Sequence, residues 1–166
     1  QIGIVFLGGS LSIETVYQTN SDYFIWICTF VILSFTAVVF LGRLLGVSKK
    51  LSFLLASGTA ICGGTAIASV APSIKAKSEE LSTAITIIFL LNAIAVLVFP
   101  LSNKYLDLSE VQFGVWAALA IHDTASVVGA ASSVGEISVE IAATLKVART
   151  IWIVPLVIFS AWIYRS

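Results

Sequence analysis

Three stretches of this 166-residue chain are apolar for the length of a bilayer crossing. A helix needs about 20 largely apolar residues to span the hydrocarbon core. Tyr23 to Leu41 meets that requirement and is opened by Tyr23, Phe24 and Trp26, aromatics suited to the membrane interface. Leu81 to Leu101 is a second such run, ending at Pro100 and followed by the polar stretch Asn103 to Glu110. Ile137 to Tyr164 is a third, with Trp152, Trp162 and Tyr164 toward its end and Arg165 beyond it. Composition agrees: 58% of residues are hydrophobic and 11% are charged, against about 25% charged in a soluble domain. Such a chain cannot cover its own surface with polar groups. An all-α polytopic membrane bundle is therefore expected, with the lipid bilayer as its main partner.

The same numbers exclude other classes. Nine Lys plus Arg balance nine Asp plus Glu, so no charge excess points to nucleic acid. Cys28 and Cys62 both lie in apolar runs and give neither a disulfide framework nor a metal-ligand cluster. No HExxH, GxSxG or paired catalytic aspartate motif is present. An enzyme is not expected, and no cofactor or metal is implied. The chain begins at Gln1, contains no methionine and has no basic segment before Ile2. It thus reads as an interior part of a longer translated chain, with Ile2 to Leu11 as the tail of a truncated helix.

Two further segments are apolar but punctured. Leu51 to Lys75 contains Gly58, Gly63, Gly64 and Pro72; Val111 to Gly135 carries His122-Asp123-Thr124-Ala125 at its middle. Small and polar residues in mid-segment suggest two half-helices joined by a loop, tolerated at membrane depth only where protein or water covers the backbone. The alternative is an intact helix that uses small residues for close packing. Sliding the sequence by 60 residues places Ala60-Ile61 on Ala120-Ile121, Ala71 on Ala131, Ser73 on Ser133 and Glu80 on Glu140. Two internal repeat units are read from this, about 51–101 and 111–164, within one partial transporter domain covering 1–166. Each has a punctured segment, an acidic residue and an uninterrupted span, an order found in secondary transporters built from repeats. Arg43, Lys49 and Lys50 precede the first punctured segment, and Lys75 and Lys77 follow it. If both flanks are cytoplasmic, the segment is a re-entrant hairpin and the two units are inverted. Full crossing is the competing arrangement, since 25 residues at about 1.5 Å each exceed a ~30 Å core.

The strings LASGTAICGGTAIASVAP (Leu55 to Pro72), FGVWAALAIHDTASVVGAA (Phe113 to Ala131) and LKVARTIWIVP (Leu145 to Pro155) carry a family likeness. They resemble the signature blocks of the YeiH-type bacterial inner-membrane family, classed as sulfate exporters. The resemblance covers essentially the whole chain. Members are longer, so it implies helices missing from both ends, a multi-pass protein of the bacterial inner membrane, and transport of sulfate or a related oxyanion or sulfonate.

The residues themselves suggest where an anion could bind. In the run Ser57 to Thr65, glycines permit close backbone approach, and a half-helix starting near Thr65 would aim unpaired N–H groups into the break. Ser57, Thr59, Gly63, Gly64 and Thr65 are candidate substrate contacts here, and Thr124 and Ser126 are their counterparts at the second break. Packing of small residues is the competing role. His122 could carry a coupling proton, together with Asp123, which could equally cap the following half-helix. Lys146 and Arg149 lie one turn apart on one face of the last span and are candidate anion contacts. Snorkelling to the headgroups, or pairing with Glu136 or Glu140, is the alternative for them. Asn92, in mid-span, could bond a hairpin backbone.

A secondary transporter of a small anion, with proton coupling through His122 and Asp123 as an option, is the function this pattern supports best. Sodium-coupled organic-anion uptake, an intramembrane enzyme drawing its nucleophile and base from Ser57, Thr59, Cys62, His122 and Asp123, and an assembly subunit are the other readings. A homo-oligomer is left open.

Overall fold

The computed structural model describes the backbone of residues 13–165 and the side chains of residues 23–165. The expectation for Ile2 to Leu11 lies outside the described residues. The described residues form helices α1 (Ile13–Leu44), α2 (Lys49–Ala60), α3 (Gly64–Val70), α4 (Ser78–Leu106), α5 (Glu110–Ala120), α6 (Thr124–Ala131), α7 (Glu136–Thr150) and α8 (Ile153–Ile163), with no strand among them. The all-α membrane class is borne out. Three stretches are long and apolar enough to cross a membrane: Tyr23–Leu44, Ser78–Leu106 and Glu136–Ile163. Along them Phe24, Ile25, Leu33, Phe40, Leu90, Leu97, Ile158 and Trp162 are exposed. Each such side chain left in water forgoes about 1.5–3 kcal/mol, so these faces require lipid or further protein.

Helix ends follow local chemistry. Ser48 caps α2 by accepting from Leu51 N, and its Oγ donates to Glu80 Oε1 at 2.6 Å. Ser109 and Gln112 form a reciprocal capping box at the start of α5. Pro100, at which the second span was expected to end, lies inside α4, which runs on to Leu106. A proline forfeits only one backbone bond, and membrane helices tolerate that. The third apolar run, read as continuous, turns at Ile151 and Trp152 between α7 and α8. Pro155 supplies the reason: it has no N–H for Ile151 O and its ring crowds that carbonyl.

The chain divides into two units. One comprises residues 29–91 and 149–166, the other residues 1–28 and 92–148. Helices α4 and α7 each contribute to both units. In the first unit Phe53, Leu54, Ile67, Val70, Ile74 and Ile88 form a buried core. Phe35 and Tyr164 meet the Phe53 ring edge-on, at centroid distances of 5.1 and 5.7 Å.

In the second unit Phe113, Ala117, Ile121, Val127, Ala142 and Leu145 are buried. Helices α5 and α7 approach closely at Gly114, where an added Cβ would lie 2.8 Å from the Ser138 carbonyl oxygen and 3.1 Å from Ile141 Cβ. Backbone cannot yield there without moving α7. Gly114→Ala is therefore expected to destabilise by about 1–3 kcal/mol through overpacking, although alanine is the better helix former. Gly129, inside α6, has nothing within 4 Å of such a Cβ, and Gly129→Ala should stabilise by up to about 1 kcal/mol. Thermal unfolding of the two variants in detergent checks the pair, whose shifts should have opposite signs.

Candidate functional site

The first interruption lies in the unit of residues 29–91 and 149–166. Helix α2 stops at Ala60 and α3 starts at Gly64, with Gly63 at φ +68°, a conformation that L side chains rarely adopt. Had α2 run on, Thr59 O and Ala60 O would accept from the N–H groups of Gly63 and Gly64. Gly63 N instead donates to Gly58 O at 2.9 Å. Arg149 takes over at the carbonyl end: its Nη2 donates to Thr59 O at 3.1 Å and to Ala60 O at 2.8 Å. The guanidinium carbon lies 5.1 Å from the Phe30 ring centroid, a cation–π distance. A cation at a helix C-terminus satisfies orphan carbonyls and complements the negative end of the dipole.

The second interruption lies in the other unit. Helix α5 ends at Ala120, Ile121 and Asp123 adopt extended backbone, and α6 begins at Thr124. Lys146 Nζ donates to Ile121 O at 2.7 Å. The N–H groups of His122 and Asp123 are received by a side chain, Asn92 Oδ1 on α4, at 3.0 and 3.4 Å. Asn92 Nδ2 is buried and has no hydrogen-bond partner. Asp123 Oδ2 accepts from both Ser126 N and Ser126 Oγ at 3.0 Å, capping α6. Asp123→Ala should therefore cost about 0.5–2 kcal/mol, with most of it restored by Asn or Ser. Chemical denaturation of the three variants measures this.

The candidate residues thus separate into two groups. Ser57, Thr59, Gly63, Gly64, Thr65 and Arg149 belong to the first interruption, and His122, Asp123, Thr124, Ser126 and Lys146 to the second. Lys146 and Arg149 are both 0% exposed, so neither snorkels, and Glu136 and Glu140 are exposed. Ser57 Oγ is buried and donates back to Phe53 O at 2.7 Å, which commits its proton to its own helix. Thr65 is exposed, while Thr59, His122, Thr124 and Ser126 are half-buried. Asn92 plays the backbone-bonding part expected of it. The Phe30 ring beside Arg149 was not legible, because 119 residues separate the two in sequence. Among the described residues no cluster of His, Cys, Asp or Glu could hold a metal ion.

Comparison with known proteins places this arrangement in a family. The profile described as Conserved hypothetical protein 698 matches residues 1–166. A UPF0324 membrane protein of Bacteroides thetaiotaomicron is 39% identical over 171 residues, covering 100% of this chain and 51% of its own length. A UPF0324 membrane protein of Geobacter sulfurreducens is 45% identical over 164 residues, 98% of this chain and 53% of its own length. One from Bdellovibrio bacteriovorus is 50% identical over 129 residues, 76% of this chain and 40% of its own length. The chain thus spans about half the length of the curated relatives it matches. No solved structure matches. The likeness carried by the three motif blocks is borne out, and the chain belongs to the Conserved hypothetical protein 698 family of UPF0324 membrane proteins.

Proposed function

We propose that the full-length protein is a multi-pass secondary transporter of the bacterial inner membrane, moving a small oxyanion or sulfonate and linked to a proton. The observation that carries this reading is the pair of fully buried cations, Lys146 and Arg149, each donating to the carbonyl end of an interrupted helix. A charge at the membrane centre costs about 2.5–3.5 kcal/mol even on the lenient insertion scale, so it is retained for a function. A carbonyl solvates a cation without neutralising it. An arriving oxyanion competes for the same N–H groups and makes the stronger, charge-assisted bond. Occupying Arg149 frees Thr59 O and Ala60 O, and occupying Lys146 frees Ile121 O. Anion binding thereby loosens the turn that each cation had fastened, which couples occupancy to backbone rearrangement.

Asn92 Nδ2 offers a further donor at the second interruption. The start of α6 is already filled by the Asp123 carboxylate, so the anion is held by side-chain donors there and not by that helix end. Asp123 and its neighbour His122 are the coupling residues in this reading, placed at the turn that precedes α6. Repeat units of inverted topology would place the two interruptions in comparable roles.

The test is a thermal-shift screen of full-length protein against sulfate, sulfite, thiosulfate, phosphate and small sulfonates at two pH values. A saturable rise in unfolding midpoint for one anion class, changing with pH, supports the reading. No shift with any of them removes the anion assignment.

A further inference from the structure

A polar-to-apolar cavity lies in the unit of residues 29–91 and 149–166, and none of its lining residues belongs to the first interruption. It measures ≈ 380 Å³ and sits among the end of α1, the start of α2 and the end of α8. Arg43, Lys49 and Ser52 supply polar groups to its lining; Phe35, Phe53, Phe159 and Tyr164 are among its aromatic walls. Three observations suggest an occupant. Lys49 is the first residue of α2, whose first turn holds no acidic side chain, so positive charge accumulates at the positive end of a helix dipole. Ser52 is 2% exposed and its buried Oγ has no hydrogen-bond partner, although the residue borders the cavity. Finally, the apolar walls continue onto α1 and α8, where Phe40 and Ile163 are exposed, an apolar surface suited to an acyl chain.

From this geometry we infer a binding site for an anionic phospholipid, its phosphate held by Arg43 and Lys49 near Ser52, and one acyl chain laid along Phe35, Phe53 and Phe159. Charge and hydrophobicity both select this ligand. A free phosphate would leave the aromatic wall unused, and a zwitterionic lipid would bring a choline cation toward two basic side chains. The basic residues Arg43, Lys49, Lys50, Lys75 and Lys77 flanking α2 and α3 put this end at the cytoplasmic leaflet by the positive-inside rule, where anionic lipids attract basic side chains.

The test uses delipidated full-length protein in detergent and follows the unfolding midpoint against phosphatidylglycerol, phosphatidylcholine with identical chains, and inorganic phosphate. Phosphatidylglycerol should raise the midpoint saturably, with the other two giving little. The double variant Arg43→Gln/Lys49→Gln should bind phosphatidylglycerol at least about tenfold more weakly. Lys104→Gln, which removes a basic residue from the other unit, should bind like the wild type. Equal stabilisation by phosphatidylcholine, an equal rise with phosphate alone, or undiminished affinity in the double variant would each overturn the assignment. If the double variant does not fold, Arg43→Gln and Lys49→Gln singly carry the same comparison, and unchanged affinity in both overturns it equally.

Discussion

Replacing Arg149 with alanine should lower the stability of the full-length protein by about 3 kcal/mol. Two carbonyls lose their donor, at about 1–3 kcal/mol for each one left buried and unsatisfied, and a fully buried long side chain leaves a void. Removing a buried charge offsets part of that sum. Ala60 is itself fully buried, so water cannot readily replace the guanidinium at its carbonyl. Three substitutions separate the contributions. Arg149→Met keeps the volume and removes the charge, so it should recover part of the stability. Arg149→Lys keeps the charge but not the planar fork and cannot hold Thr59 O and Ala60 O in the same way. Its loss should fall between those of Met and Ala. Hydrogen exchange gives the local readout: amides near Gly63 and Gly64 should exchange faster in Arg149→Met, with those near Asp123 unchanged.

Lys146→Met should produce the complementary result. It removes one charge-assisted bond to Ile121 O, worth about 1.5–3 kcal/mol, and its effect on exchange should centre on residues 121–126. Asn92 limits the damage, because its Oδ1 still receives the N–H groups of His122 and Asp123. The double variant Lys146→Met/Asn92→Leu should therefore lose more than the sum of the two single changes, since each alone leaves one fastening in place. Additive losses in chemical denaturation would show that the two fastenings act independently.

Much of this could be read from the sequence, for identifiable reasons. The three spans were visible because crossing a bilayer demands about 20 apolar residues in series, a purely local requirement. Asp123 as a cap was visible because capping is read from a residue and its next few neighbours. The turn at Ile151 and Trp152 was hidden by unbroken hydrophobicity, though Pro155 was its available signal. Pro100 misled in the opposite direction, since a membrane helix carries a proline without ending. The burial of Lys146 and Arg149 followed from their depth in the span, but their carbonyl partners did not: Arg149 and Ala60 are 89 residues apart. Residue type alone marks Ser57 as a candidate ligand, and only its bond to Phe53 O shows the proton committed within its own helix.

In the proposed transport cycle, the buried cations that fasten the interrupted helices also bind the moving anion. Oxyanion flux through full-length protein in proteoliposomes tests it most directly, comparing wild type with Lys146→Met and Arg149→Met at equal folded amounts. Loss of one charge-assisted contact corresponds to a rate reduction of about tenfold or more, and that reduction is expected in both variants while their unfolding transitions stay cooperative. Full-rate flux in both would contradict the account.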